Sequence, residues 1–225
     1  MKKIYMPTSG PEDWKRLLAE PEKQWKTGHS AKALAYCWEA TGDIPSEVRT
    51  VISRTPELAA LEVLLCIPEH QVPLPGGARP SQNDVWLLGR TPQGLVSITI
   101  EGKVSESFGP TISEWFKDPS PGKQRRLEFL CQTLELAFPP DNALRYQLFH
   151  RAASAIIEAR QYHAQNAAML VHTFSQTDDW FDDYAAFLAA LGLRGEINNV
   201  ASKRLGSGIR LHLGWVHGAA KWLQV

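Results

Sequence analysis

The segment that most restricts the fold of this chain is NDVWLLGR, TPQG and LVSITIEGKV in succession, residues 83–104. It is rich in β-branched residues, and Pro92 holds the favoured second position of a four-residue turn, so it predicts a β-hairpin. Side chains alternate along a strand. Leu95, Ser97, Thr99, Glu101 and Lys103 therefore share one face, and Val96, Ile98, Ile100 and Val104 share the other. A turn centred on Pro92 and Gln93 sets Trp86 opposite Thr99 and Asp84 opposite Glu101. Directly opposed like charges destabilise a sheet, so this pair calls for a cation, a shared proton or solvent. Lys103, two residues on, supplies part of that. A hard divalent cation such as magnesium, which binds through one or two carboxylates and keeps several waters, would satisfy both acids. The plainer alternative is a solvated hairpin face on which acids and lysine lie together by chance.

Around the hairpin the pattern is mainly helical. Thr55 and Pro56 fit the start of a helix that LAALEVLLC carries to about Cys66, with Leu58, Leu61 and Leu65 as its inner stripe and Pro68 as its stop. Glu62 is flanked by apolar residues there. A carboxylate in that setting is costly unless it reaches water, is paired or belongs to a site. The Pro- and Gly-rich stretch HQVPLPGGARPSQN reads as a long loop close to whatever the strands present. Beyond the hairpin, helices are expected near 111–117, 123–137 and 142–163. The last carries an apolar stripe of Leu144, Leu148, Ala152, Ala155 and Ala159, flanked by Gln147, Arg151, Ser154 and Glu158. That flank either faces solvent, the commoner case, or meets the polar hairpin face, with Gln147 orienting a water and Arg151 contacting a phosphate. AAMLVHTF then predicts a buried strand, DDWFDDYAAFLAALG a helix stopped by Gly192, and GIRLHLGWV a last strand.

Residues 1–54 read as a helical, Trp-rich extension, with Ser30 as an N-cap, Gly42 as a stop, and Trp14, Trp25 and Trp38 stapling it to an α/β domain of residues 55–225. A chain of 225 residues suits one core. Lys plus Arg equals Asp plus Glu at 24 each, so no global field draws it to nucleic acid or to an anionic membrane, and nucleic-acid binding must use a local basic patch. The cysteines Cys37, Cys66 and Cys131 are far apart and sit in apolar stretches read as helical. They suit buried thiols in a reducing compartment, so a cytoplasmic location is expected. No apolar run follows Lys2 and Lys3 to export the chain, and none is long enough for a membrane span. Zinc-binding spacings, a P-loop, a dinucleotide fingerprint and a G-x-S-x-G elbow are all missing from the sequence.

Asp84, the hairpin, and Glu101-Gly102-Lys103 as an E-x-K element resemble the PD-(D/E)XK nuclease superfamily. So do a preceding helix with Glu62 and a following helix with Gln147 in RYQL. The likeness covers roughly residues 55–175 and departs from the pattern in having Asn83 before the acid and two confident strands where the family has three, unless HQVPLP hides the first. It implies a restriction-endonuclease-like α/β (α+β mixed) core, with a central mixed sheet flanked by helices. It also implies a magnesium-dependent DNA nuclease using a metal-activated water, with manganese as a substitute. Asp84 and Glu101 would be metal ligands, Glu62 a further ligand, Lys103 the catalytic cation and Gln147 its support. DNA is the expected partner, and a homodimer stays open. The alternatives are a non-catalytic nucleic-acid-binding or interaction module that keeps the fold, and a metal-free sugar or small-molecule enzyme using the acid pair.

Overall fold

In the computed structural model, which describes Ile4 and residues 8–225, a six-stranded mixed sheet carries helices on both faces. Lys2 and Lys3 lie outside the described residues. In chain order the elements are α1 (Pro21–Gln24), α2 (Ser30–Thr41), α3 (Ser46–Ile52), β1 (Glu62–Val72), β2 (Ser81–Thr91), β3 (Gly94–Lys103), α4 (Ile112–Trp115) and α5 (Pro121–Leu134). They continue as α6 (Tyr146–Gln161), β4 (Asn166–Thr173), α7 (Phe181–Ala190), β5 (Asn199–Arg204) and β6 (Arg210–His217). The strand order is β1-β2-β3-β4-β6-β5. β1, β2 and β3 form an antiparallel meander. The long crossover that contains α6 then returns β4 parallel to β3, as a parallel connection requires.

The hairpin has the expected register: Trp86 pairs with Thr99, Val85 with Ile100 and Thr91 with Gly94. Its two faces are both buried, for different reasons. Val96, Ile98 and Ile100 join Val85, Leu87 and Leu170 in a core closed by Leu34, Trp38, Val48 and Ile52 of α2 and α3. The segment expected as an extension thus supplies the helical layer on that face, with Trp14 and Trp38 buried and Trp25 packed at its edge. On the other face α5, α6 and α7 pack over Met169, Val171, Leu213 and Trp215. Ser97, Thr99, Glu101 and Lys103 are buried on that side too, so the polar face is not a solvated one.

Three local expectations need correction. Glu62–Val72 is a strand, not the end of a helix. Thr55 to Leu61 makes successive turns, with Leu58 N–H donating to Thr55 O at 2.9 Å and Leu61 N–H to Leu58 O at 3.2 Å, and the chain then pairs with β2 from Glu62 opposite Arg90 onward. A short apolar run does not distinguish helix from strand, and pairing to a ready hairpin decided it. Pro68 stops nothing because β1 is an edge strand, where a missing N–H is tolerated. The third strand of the meander is therefore present, its end lying in HQV, and the loop shrinks to residues 73–80. Cys66 consequently sits on a strand, although all three cysteines are free and buried as expected. Finally, His29 rather than Ser30 caps α2, Ser30 being its first residue, whereas Gly42 ends it in the left-handed conformation (φ 59°). The sequence pattern does not predict β5, a short strand of half-exposed residues. No helix among the described residues is long and apolar enough to cross a membrane.

Candidate active site

At the end of the hairpin away from its turn, Asp84, Glu101 and Lys103 come together under the first turns of α6. Asp84 accepts the Gly102 N–H at 2.8 Å, which ties the acid on β2 to the middle of the E-x-K element on β3. Lys103 Nζ donates to Glu101 Oε1 at 2.7 Å and to Gln147 Oε1 at 3.1 Å. Gln147 Nε2 donates to the same Glu101 oxygen at 2.7 Å, and the Arg151 guanidinium holds Glu101 Oε2 while lying 3.8 Å from Asp84 Oδ1. The flank of α6 thus meets the polar hairpin face. Gln147 and Arg151 are four residues apart, one turn of helix, and so reach the same carboxylate. Arg151 is spent on these two acids rather than left open toward solvent.

A third carboxylate completes the cluster. Glu69, on β1, lies between Pro68, paired with Val85, and His70, paired with Asn83, which sets it beside Asp84. Its φ of 52° places it in the left-handed region, a conformation that costs a non-glycine residue of order 1 kcal/mol or more and that surrounding structure must enforce. Gln82 helps to do so, donating from Nε2 to Glu69 Oε2 at 2.8 Å and to Leu17 O at 3.2 Å. Glu69, Asp84, Glu101, Lys103, Gln147 and Arg151 all line one pocket of about 280 Å³. Residues of the N-terminal segment, Leu18 and Ser30 among them, form its opposite wall.

Three carboxylates face two cations here, and the protonation preferences follow. Burial raises Glu101, but Arg151 and Lys103 outweigh it and hold the acid down at about 2. Asp84 goes the other way: burial and then the charge of Glu101 push it up to about 7, against the partial relief of Arg151 and Lys103. Glu69 is also raised well above the ordinary carboxylate range, by burial first and then by Asp84. With all three acids ionised, above the range where Asp84 and Glu69 hold their protons, the pocket is short of positive charge. Hard oxygen donors in such a deficit are what a magnesium-sized dication requires.

Glu62 does not belong to this site. It is the first residue of β1, half-exposed, and held by Arg90 at 2.8 Å. Seven residues of strand separate it from Glu69, roughly 20 Å at the rise of an extended chain. The β1 carboxylate that lies beside Asp84 and lines the pocket is Glu69. No alternation of polar and apolar residues marks it, since Ile67 shares one row with Glu69 and Gln71 while His70 shares the other with Pro68 and Val72.

A second cluster joins distant parts of the chain where the sequence has no metal-binding spacing. Cys37 Sγ, Glu47 and His172 have ligand atoms within 4.8 Å of one another. Trp38 Nε1–H donates to His172 Nδ1 at 3.4 Å, which leaves the ring proton on Nε2, 3.6 Å from the Glu47 carboxylate. The imidazole then offers this cluster a donor and not a lone pair. The nearby His172 ring brings Glu47 down to about 2, while burial raises Cys37 and disfavours its thiolate. The cluster reads as a polar junction tying α2 and α3 to β4.

A family described as "Domain of unknown function (DUF6946)" matches residues 7–220. That span takes in both the N-terminal helices and the sheet. No curated protein and no solved structure matches the chain.

Proposed function

We propose that this chain, which belongs to the DUF6946 family, is a metal-dependent nuclease of the PD-(D/E)XK kind that hydrolyses phosphodiester bonds of DNA. The observation that carries the reading is the acid on β2 beside an E-x-K element on β3, gathered under α6 with a third carboxylate. The order of elements around it supports the same reading: helices, a three-stranded meander, a crossover of α4, α5 and α6, then a strand parallel to the meander's third.

The oxygen donors suit magnesium, with manganese as a substitute, and Asp84, Glu101 and Glu69 are the residues that would hold it, their oxygens having to draw closer than they stand, since the three do not all lie within 4.8 Å of one another. Bound there, the ion would supply Lewis acidity toward a phosphate oxygen. The chain's own groups have separable tasks. Glu101 and Gln147 fix the Lys103 ammonium at the pocket wall, where it can orient an attacking water and stabilise charge developing on the phosphate. Arg151 keeps Glu101 ionised and in place. The Gly102 N–H orients Asp84.

In a cleavage assay on labelled duplex and single-stranded DNA, the wild type should cut with magnesium and not with EDTA. Lys103→Ala should lose at least about a hundredfold in rate. Activity that survives both Lys103→Ala and Asp84→Ala would overturn the assigned roles. In the same assay Glu62→Ala should stay within roughly twofold of wild type, as an exposed substitution outside the site, whereas Glu69→Gln should lose about tenfold or more. The opposite ranking would remove Glu69 from the site.

One observation favours a second reading, a nucleic-acid-binding or interaction module without catalysis. Both oxygens of Glu101 already accept hydrogen bonds from within the protein. Under that reading magnesium leaves cleavage at background while DNA binding persists.

A further inference from the structure

Next to the carboxylate pocket, and sharing Lys103, Gln147 and Arg151 with it, is a larger cavity of about 770 Å³. We propose that this cavity receives an unpaired nucleotide, its base continuing an aromatic column that ends at Trp115 and its phosphate held by Arg79, so that the strand presented to the acid cluster is single-stranded. The inference rests on the nuclease reading for what happens at the acids, but not for what binds the cavity.

The column is a stacked pair of rings with a third tilted against it. Trp115 stacks on Tyr146 with ring centres 3.9 Å apart and planes 9° from parallel, and Tyr146 in turn lies 5.0 Å from His150. Tyr146 is buried and both Trp115 and His150 are half-buried, but His150 is tilted 54° from Tyr146, so the end that presents a ring parallel to the stack is the tryptophan. Its position is fixed in advance. Thr111 caps α4, accepting the Glu114 N–H at 3.2 Å while Glu114 takes the Thr111 N–H at 2.7 Å. The backbone of Ile112 also donates to Leu144 O at 2.8 Å, just ahead of α6. A preset aromatic surface costs little to order on binding. The Lys123 ammonium lies over the Trp115 ring, 5.7 Å from its centre, so a base that stacks there displaces it.

The opposite wall is equally built. Arg126, nine-tenths buried, donates to the carbonyls of Leu74, Pro75 and Gly77 and so pins the loop of residues 73–80. Gly76, at φ +82°, comes so close to the Gly122 backbone that a Cβ there would lie 2.1 Å from the Gly122 carbonyl oxygen. This held loop presents Arg79, which is exposed and has no ion-pair or hydrogen-bond partner among the described residues. A cavity of this volume is in the range that takes small ligands. An aromatic end beside a free guanidinium and the Lys103 ammonium fits a ring that carries a phosphate. Bases inside a duplex have both faces covered by their neighbours, and only an unstacked base can extend such a column. The neutral overall charge agrees with a grip that depends on stacking more than on a broad basic field.

The test is fluorescence anisotropy with a labelled twelve-nucleotide dT strand and a blunt duplex, in EDTA so that nothing is cut. The single strand should bind more tightly than the duplex. Trp115→Ala should weaken the single strand by about fivefold to a hundredfold, the range for losing one base stack, and Trp115→Phe should recover most of that. Arg79→Ala, at an exposed position that does not threaten folding, should weaken binding and flatten its salt dependence by about one charge. Equal or tighter duplex binding, or a Trp115→Ala protein with unchanged affinity for the single strand, would overturn the proposal even if magnesium-dependent cleavage is found. Intact single-strand binding without any cleavage in magnesium would instead defeat the nuclease reading and leave the cavity's role standing.

Discussion

Replacing Asp84 with asparagine is expected to lower magnesium-dependent cleavage by at least about a hundredfold and, at pH 8, to raise the melting temperature of the cation-free protein. The two effects have one cause. Burial and the charge of Glu101 push Asp84 up to about 7, above its ordinary value, so the folded protein carries it ionised at pH 8 only at a cost. A raised carboxylate destabilises the fold most above its folded value. That cost is relieved as pH falls through about 7 toward the ordinary range, where the proton is taken up. Asparagine removes the charge and keeps a carbonyl oxygen to accept the Gly102 N–H. Even 1 kcal/mol of relief would shift a chain of this size by about 2–4 °C. Thermal melts at pH 8 and pH 5 check this: the gain should be clear at pH 8 and mostly gone at pH 5. Magnesium should stabilise the wild type at pH 8, with little effect at pH 5 or on Asp84→Asn, because proton and cation compete for the same carboxylate.

Arg151→Ala should be the most destabilising of the substitutions considered, by about 3–5 kcal/mol, as expected when one partner of a buried ion pair is removed. Its guanidinium, under a tenth exposed, touches both Glu101 and Asp84. Without it three carboxylates would have Lys103 alone. The pH dependence has a definite sign. Glu101 is held at about 2, below its ordinary value, so its contribution to stability is present above the ordinary carboxylate range and is lost as pH falls toward about 2. Urea denaturation at pH 7 and pH 3 should therefore show a large deficit for Arg151→Ala at pH 7 and a smaller one at pH 3. Arg151→Met combined with Glu101→Gln should recover part of the loss by removing both charges together.

The hairpin is legible in the sequence because a tight turn and a period of two fix each other: once Pro92 and Gln93 form the turn, Asp84 has only one place to go. The α6 flank is legible for a similar reason, since Gln147 and Arg151 share a face at helical spacing. That the polar hairpin face is covered is not legible, because a row of Ser, Thr, Glu and Lys looks the same facing solvent or facing α6. Burial becomes visible only when Arg151 and Gln147 are seen to satisfy Glu101. β1 misleads for a different reason. Its leucine-rich first half carries no strong period, and its proline reads as a helix stop until the strand is known to be at the sheet edge. A helix ending at Pro68 leaves Glu69 outside the element and makes Glu62 its acid nearest the hairpin. The N-terminal tryptophans point to packing, but nothing in their spacing says that α2 and α3 form a whole layer of the sheet.

Calorimetric titration of magnesium into chelator-treated protein at pH 8, with wild type and Asp84→Asn compared side by side, reads out whether the acid cluster holds a cation. Saturable binding to the wild type, weakened at least about tenfold in Asp84→Asn, is the expected result. Absence of binding to the wild type, or equal binding by the two proteins, would contradict a metal site built on Asp84, Glu101 and Glu69.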